Sequence, residues 1–303
     1  MGMKNKIVVI GSSNTDMVMR VSAFPKPGET MLGSSFLQNQ GGKGANQAVA
    51  CARLGGDVAF VAKVGSDALG DNAIRQLSCE QMDVSQVTQT DEQPSGSAFI
   101  MVDDQGENSI IVNPGANACL SRRDIDAAER LIAKAGFVLM QLESPVDTLI
   151  YAAQKAHEYG AMVILNPAPA PPTALPDDLL RQVDVLIPNE IELRILSRDV
   201  DAQLTIEECI HKLQQVGVKD IVVTVGSKGA VALIGHQVEH FPSQSVKAVD
   251  TTAAGDTFCG ALCVALSQGR LLAEAITFAC KAAAITVSRT GAQQSIPYIE
   301  EIV

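Results

Sequence analysis

Tryptophan is absent from this chain of 303 residues, and aromatic side chains make up only 4% of it. A core without large rings must be filled by Ala, Val, Ile and Leu, which suits helices packed on a sheet. Basic residues are also scarce: 23 Lys and Arg stand against 34 Asp and Glu, for a net charge of −11 and a pI near 4.8. Such a surface lacks the basic patches that neutralise a nucleic-acid backbone, so no nucleic-acid partner is expected. A small anionic ligand is not excluded, because a few local donors outweigh a global charge. No run of 18 or more apolar residues occurs, so no membrane-spanning helix is expected. The apolar run within "MGMKNKIVVIGSSNTD" is too short for a signal peptide, and a cytoplasmic location is expected. The seven cysteines, at 51, 79, 119, 209, 259, 263 and 280, form no CxxC pair. Cys259 and Cys263 stand four apart with no histidine or second pair to complete a zinc site, so free thiols are expected.

Several familiar motifs are missing as well. There is no GxxxxGK[ST] loop, so this is not a P-loop enzyme. The segment "GGKGAN" (41–46) does not match GxGxxG and follows a polar stretch, not a strand, which argues against a dinucleotide site. Neither HExxH nor GxSxG occurs. The histidines at 157, 211, 236 and 240 are scattered and expected mostly at the surface, so they give no support to a His-based nucleophile system.

What the chain does have is length for a sizeable core, 47% hydrophobic residues and a regular rhythm. The spacing predicts buried strands at 6–11, 57–65, 136–143, 161–167, 183–189 and 220–226 and helices at 46–56 and 70–82, with further amphipathic helical stretches between most strands. Alternating βα units imply an α/β fold with a mainly parallel central sheet and helices on both faces. Residues 14–40 and 95–113 break the rhythm with polar–apolar alternation around "PKPG" and "DDQGEN". They read as antiparallel strands with one solvated face, inserted into a single domain as a small lid.

Four stretches offer chemistry. In "DTTAAGDTF" (250–258) small residues at 253–255 let a turn approach a ligand, and a helix starting near Gly255 would aim free N–H groups at it, a way to bind phosphate without a lysine. Asp256 would lie in the first turn, where the helix dipole keeps its carboxylate ionised as a proton acceptor. It could equally be an aspartate that merely favours a helix start. In "GGKGANQAVACARLGG" the glycines allow close approach and Lys43, Asn46 and Gln47 supply donors, or the glycines simply precede a helix. "NTD" puts Asn14 and Asp16 on one face of a strand, a pairing that suits vicinal hydroxyls of a sugar. "PNEIEL" (188–193) brings Asn189 and Glu192 together at a helix start, which an ordinary capping box also explains. "VTVGSKG" (223–229) offers a glycine turn as a wall for a nucleotide, or a plain hairpin turn into "AVALIG".

Taken in order over nearly the whole chain, "GSSNTD", "PKPGET", "GGKGANQA", "QLESP", "NPAPA", "PNEIEL", "TVGSKG", "DTTAAGDTFCGAL" and "GAQQSIP" resemble the ribokinase family, the PfkB-type carbohydrate kinases. The resemblance implies a three-layer αβα domain with a small β-sheet lid. It also implies transfer of the γ-phosphoryl group of ATP to the 5-hydroxyl of a pentose, with D-ribose indicated by "GGKGANQA", "QLESP" and "NPAPA". Carried over by position, Asp256 would be the catalytic base, and Ala253, Ala254 and Gly255 the anion hole. Asn14, Asp16, Gly42, Lys43, Asn46 and Glu143 would hold the sugar. Asn189, Thr224, Gly226, Ser227, Gly229 and Gly255 would line the nucleotide site. Asn189 and Glu192 would place Mg²⁺, mostly through water. Asp250, Thr252, Thr286, Arg289, Gly291 and Ser295 match the positions around a monovalent cation such as K⁺. Cys280 stands near the adenine where the family commonly has His or Asn, and "TAAGD" replaces the more common "TGAGD". A homodimer through the lid is a further implication.

Two other readings stay open. A deoxyribokinase, or another pentose or nucleoside kinase, would share these motifs. Asp16 favours ribose, since a missing hydroxyl would leave its carboxylate unpaired. A catalytically silent sugar- or nucleotide-binding regulator would have no chemical need for Asp256, Gly255, Asn189, Glu192 and Lys43 together.

Overall fold

The computed structural model describes residues 4–199, 201–234 and 237–302, which leaves His236 outside the described residues. In chain order, β1 (Lys6–Ile10) leads through β2 (Asn14–Arg20) and β3 (Ser35–Gly41) to α1 (Lys43–Arg53). Then come β4 (Val58–Gly65), α2 (Ala68–Ser78), β5 (Asp83–Thr90), β6 (Gly96–Val102) and β7 (Asn108–Asn113). The short helices α3 (Arg122–Ala127) and α4 (Glu129–Ile132) precede β8 (Ala135–Met140), α5 (Val146–Glu158), β9 (Met162–Leu165) and α6 (Asp177–Leu180). β10 (Val185–Leu186), α7 (Glu190–Leu196), α8 (Ile206–Val216), β11 (Asp220–Thr224), β12 (Ala230–Ile234) and β13 (Gln237–Phe241) follow, and α9 (Ala254–Ser267) and α10 (Leu272–Val287) complete the series.

Nine strands form one sheet in the order β13-β12-β11-β10-β9-β8-β1-β4-β5. Its pairs are parallel from β11 to β5, and only β12 and β13 join antiparallel at one edge. Both faces are covered. Ile7 and Val9 of β1 point into one apolar cluster with α1, α9 and α10, while Val8 and Ile10 point into the other with α3 to α8. That double burial is why "KIVVI" shows no alternation.

The remaining strands form a small sheet, β3-β2-β6-β7. Each hairpin is antiparallel as the alternation predicts. The two hairpins meet through a parallel pair, β2 with β6, Asp16 opposite Ala98. Local alternation carries no signal for that long-range pairing.

Four core strands stop short of the expected ends: β8, β9, β10 and β11 end at Met140, Leu165, Leu186 and Thr224. Just past the ends of the first three, Gln141, Glu143, Asn166 and Asn189 turn their side chains to new partners. β5 went unread because "DVSQVTQT" is polar. As an edge strand it keeps only Val87 fully buried. The 226–229 segment is a tight turn that joins β11 and β12 as an antiparallel hairpin. Among the described residues no helix is long and apolar enough to cross a membrane.

Helices α1 and α9 touch at Gly260. A Cβ there would lie 2.6 Å from the Ala50 Cβ and 3.0 Å from the Gln47 carbonyl oxygen. Gly260→Ala should therefore destabilise the fold by about 1–3 kcal/mol through overpacking, offset by at most the roughly 1 kcal/mol that Ala gains over Gly in a helix. The expected reading is a lower urea midpoint at unchanged m-value; an unchanged or higher midpoint would show that the helices can part without cost.

Candidate active site

The carboxyl ends of the parallel strands open into one cleft, the usual ligand position in sheets of this kind. It has a volume of about 1130 Å³. Alternate residues of the small sheet, Asn14, Asp16, Val18 and Arg20 on β2 with Ala98, Ile100 and Val102 on β6, face it from one side. Lys43 and Asn46 of α1, Glu143 after β8, Asn189 and Glu192 at the start of α7, and the turn before α9 face it from the other.

That turn has an unusual backbone. Ala253 caps α9 at φ 60°, in the left-handed region, with no side-chain cap bond. A non-glycine residue there is strained, and the turn is held from outside. Asp250 Oδ1 accepts from the Thr252 amide at 2.9 Å and the Thr252 hydroxyl at 2.6 Å, and Oδ2 accepts from the Gly291 amide at 3.0 Å. Burial opposes ionisation of Asp250, yet these bonds hold its carboxyl below the ordinary carboxylate range. At Gly255 a Cβ would meet nothing within 4 Å, so the first turn of α9 opens directly onto the cleft. Its amides have no partner inside the helix and suit an anion.

Asp256 is 7% exposed. Its Oδ2 accepts from Asn46 Nδ2 at 2.9 Å and its Oδ1 from Gln47 Nε2 at 3.0 Å. The sequence suggests that the helix dipole keeps this group ionised, but burial dominates and pushes its pKa up. Lys43 and the two amide bonds oppose the shift. Asp16 is raised to about 6, first by burial and then by Glu143 and Asp256, with Lys43 opposing. Glu192 is also raised by burial, against a backbone bond from Asn189 and the charge of Lys43. Burial opposes the charge on Lys43, but Asp256, Glu143 and Glu192 outweigh it and raise its pKa. Glu143 is clamped by the Ser12 hydroxyl and by the Lys43 amide at 2.9 Å.

Asn189 and Glu192 form the reciprocal capping box, Asn189 N to Glu192 Oε2 and Glu192 N to Asn189 Oδ1, each 2.8 Å. Both still face the cleft. Thr224 lines it beside Asn189, across an isolated parallel bridge. Gly226 and Ser227 are exposed on the β11–β12 turn, and Gly229 meets a packing demand, since a Cβ there would lie 2.0 Å from the Phe241 carbonyl oxygen. Ala254 continues the strained turn. Cys280 does not line the cleft: it is 5% exposed, its Sγ lies 3.8 Å from the Phe241 carbonyl oxygen, and burial lifts its thiol to about 11.

Of the six residues matched to a monovalent cation, Asp250, Thr252 and Gly291 line the cleft. Thr286 and Ser295 lie buried behind the turn, bonded to Thr257 at 2.9 Å and to the Ala292 carbonyl at 2.7 Å, and Arg289 is paired with Glu301.

The structure adds residues that sequence reasoning did not place here. Asn117 donates to Asn14 Oδ1 at 2.7 Å and accepts from the Ser13 amide at 2.9 Å, so it sets which way the Asn14 amide faces. It sits in a five-residue 3₁₀ helix, Gly115–Cys119, too short to show periodicity in the sequence. Asn166 stands within a quoted motif and Gln47 is already a candidate donor from the sequence, but only their contacts show which groups they serve.

A pfkB family carbohydrate kinase model matches residues 4–299. A ribokinase of Staphylococcus aureus is 39% identical, covering 99% of each chain. A deoxyribokinase of Salmonella typhi is 38% identical, covering 97% of this chain and 96% of its own. A solved Arabidopsis thaliana ribokinase, complexed with ribose and ATP, superposes with a TM-score of 0.89 at 34% identity, over 98% of this chain and 96% of that one.

Because the pKa of Asp16 is about 6 in the fold against 3.8 for the free group, its ionisation costs the folded state. That cost is absent below the unfolded value, grows between the two and is complete above pH 6. Asp16→Asn should therefore raise the thermal midpoint of the ligand-free chain at pH 8, and the gain should vanish below pH 4. A difference independent of pH would show that Asp16 is not charged at a cost.

Proposed function

The chain belongs to the pfkB family of carbohydrate kinases, and from that premise we propose that it transfers the γ-phosphoryl group of ATP to the 5-hydroxyl of D-ribose. The observation that carries this reading is Asp256. It is a buried carboxylate fixed by two amide donors, next to an open turn of backbone amides and facing a cleft rich in sugar-type partners. The Arabidopsis relative bound to ribose and ATP supports the same two substrates here.

In this reading Asn14, Asp16, Gly42, Lys43, Asn46 and Glu143 hold the sugar. The carboxylate of Asp16 takes hydrogen bonds from the 2- and 3-hydroxyls. Asp256 accepts the proton of the 5-hydroxyl as that oxygen bonds to the γ-phosphorus, while the bond to the bridging oxygen of ADP breaks. The amides from Ala253 to Gly255 face the charge on the transferred group. Phosphoryl transfer depends mainly on such positioning and electrostatics. Thr224, Asn189 and the turn at Gly226, Ser227 and Gly229 form the nucleotide side. Cys280 contributes there through packing.

The donor set around Glu192 suits Mg²⁺. One carboxylate oxygen is spent on the cap, and the other remains for a hydrated ion, which would neutralise phosphate charge. The 250–252 turn, tied to Gly291, would offer K⁺ mostly backbone carbonyl oxygens, with Thr286, Arg289 and Ser295 behind it. That ion would brace the strained turn at Ala253. The small sheet acts as a lid, at about 14–40 and 95–113, over one kinase domain. Its outer face exposes Met19, Phe36, Phe99 and Ile111, an apolar patch that a second subunit would cover in a homodimer. A cytoplasmic site of action fits these substrates.

A deoxyribokinase is the second reading, favoured by the similarity to the Salmonella enzyme. ADP release across ribose, 2-deoxyribose, fructose, adenosine and pseudouridine separates the two: ribose should give the highest kcat/KM, and a preference for 2-deoxyribose would overturn the first reading. Asp256→Asn should keep sugar binding and lower kcat by roughly 10²- to 10⁴-fold; turnover near the wild-type value would remove Asp256 from the base role. Activity should rise steeply when K⁺ is added to buffer free of monovalent metal ions, and indifference to K⁺ would refute the cation site.

A further inference from the structure

We propose that Gln47 is a positioning residue for Asp256, held in one orientation by a chain of buried amides that begins at the backbone carbonyl of Ile187. The inference rests on the reading of Asp256 as the base. It assigns the residue that holds that base to a helix face the cleft does not reach.

The chain has only one polarity. The Ile187 carbonyl can only accept, and Asn166 Nδ2 donates to it at 2.8 Å. Asn166 therefore turns its Oδ1 towards α1, where Gln47 Nε2 donates to it at 3.0 Å. The second N–H of the same amide donates to Asp256 Oδ1 at 3.0 Å. The Gln47 carbonyl is occupied from behind by Gln141 Nε2 at 2.6 Å. Turning the Gln47 amide over would set its oxygen against two acceptors and its NH₂ against the NH₂ of Gln141. Gln47 and Gln141 are 0% exposed and Asn166 is 8% exposed, so water offers Gln47 little alternative.

Asn46 holds the other oxygen, but it lines the cleft, where a bound sugar can compete for its Nδ2. Gln47 does not line the cleft and cannot act by touching substrate. Nor is the chain there for stability. It ends on Gln141 Oε1, a buried acceptor without a partner, seated where a Cβ on Gly11 would lie only 2.1 Å away. Apolar side chains of similar volume would avoid that unsatisfied group. What the chain does achieve is a donor on Asp256 Oδ1 that neither solvent nor ligand displaces. It orients the carboxylate and favours its ionised form, leaving the remaining lone pairs for the sugar hydroxyl.

The test is Gln47→Met, which keeps the length and removes the donor. The charged and titratable groups facing Asp256 are Lys43 on α1, Asp16 on β2, Glu143 after β8, Glu192 on α7 and Cys259 on α9, and all are retained in this variant. The expected result is a ribose Kd within about twofold of wild type with kcat lower by roughly 10- to 100-fold. The acid limb of the kcat profile should move to higher pH by about half to one unit as the carboxylate loses a donor. Added to Asp256→Asn, the same substitution should lower single-turnover rates no further. A wild-type kcat and acid limb, or an undiminished loss in the Asp256→Asn background, would overturn the inference. If Gln47→Met does not fold, Asn166→Leu, which removes one of the two acceptors that orient the Gln47 amide, should lower kcat and shift the limb in the same direction with ribose Kd within about twofold, a check needed because Asn166 lines the cleft; no change in kcat and limb would overturn it equally. Near-normal turnover of Asp256→Asn alone would instead sink the base reading, and this inference with it, whereas collapse of Asp256→Asn beside an unaltered Gln47→Met sinks this inference alone.

Discussion

Lys43 faces Asp16, Glu143, Glu192 and Asp256 in a cleft whose burial pushes the pKa of Asp16, Glu192 and Asp256 up. One ammonium group cannot neutralise four carboxylates. Much of what surrounds them reads as a response to that imbalance. The Ser12 hydroxyl and the Lys43 amide share Glu143, a capping box takes one side of Glu192, and two amides take the two oxygens of Asp256. Where no such donor is available, at Asp16, the acid shifts most plainly towards its neutral form. A polyhydroxylated ligand that donates hydrogen bonds would supply what the cleft lacks.

The fold holds these groups together by packing two helices without large side chains between them. Gly260 of α9 lies against Ala50 and the Gln47 carbonyl of α1, which brings both amides of "NQ" within reach of Asp256. Absence of tryptophan and shortage of aromatics are thus the composition of a molecule whose helices approach closely. The strained Ala253 at the head of α9 is tolerated because Asp250 ties its turn to Gly291 on the far side.

The fold class was legible because the core strands are buried on both faces and read as continuous apolar runs. The two hairpins were legible from their alternation. Their parallel junction through β2 and β6 was not, since no local pattern records which strand lies beside which. Asp256, Lys43 and Asn14 could be found from motifs in which small residues and donors cluster. Gln47 and Asn117 act through partners more than 90 residues away in the chain, at Gln141, Asp256 and Asn14. Their roles exist only in three dimensions. The pKa of Asp256 shows the same limit. A helix start argues for a lowered pKa, and burial, which the sequence does not carry, turns the shift upward.

The pleat of β2 gives adjacent residues to different neighbours. Asn14, Asp16 and Val18 look into the cleft, while Met17 and Met19 between and beyond them look outward. Because the two sets share one strand, they also share one reading frame. Losing or gaining a single residue near the start of β2 would bring methionine to face the cleft and carboxylate to the outer surface at one stroke. The length of this strand is therefore as constrained as the identity of any residue on it. Variation in such a sheet is channelled into its connecting loops, at 21–34 and 103–107, where an insertion leaves the parity of both faces intact.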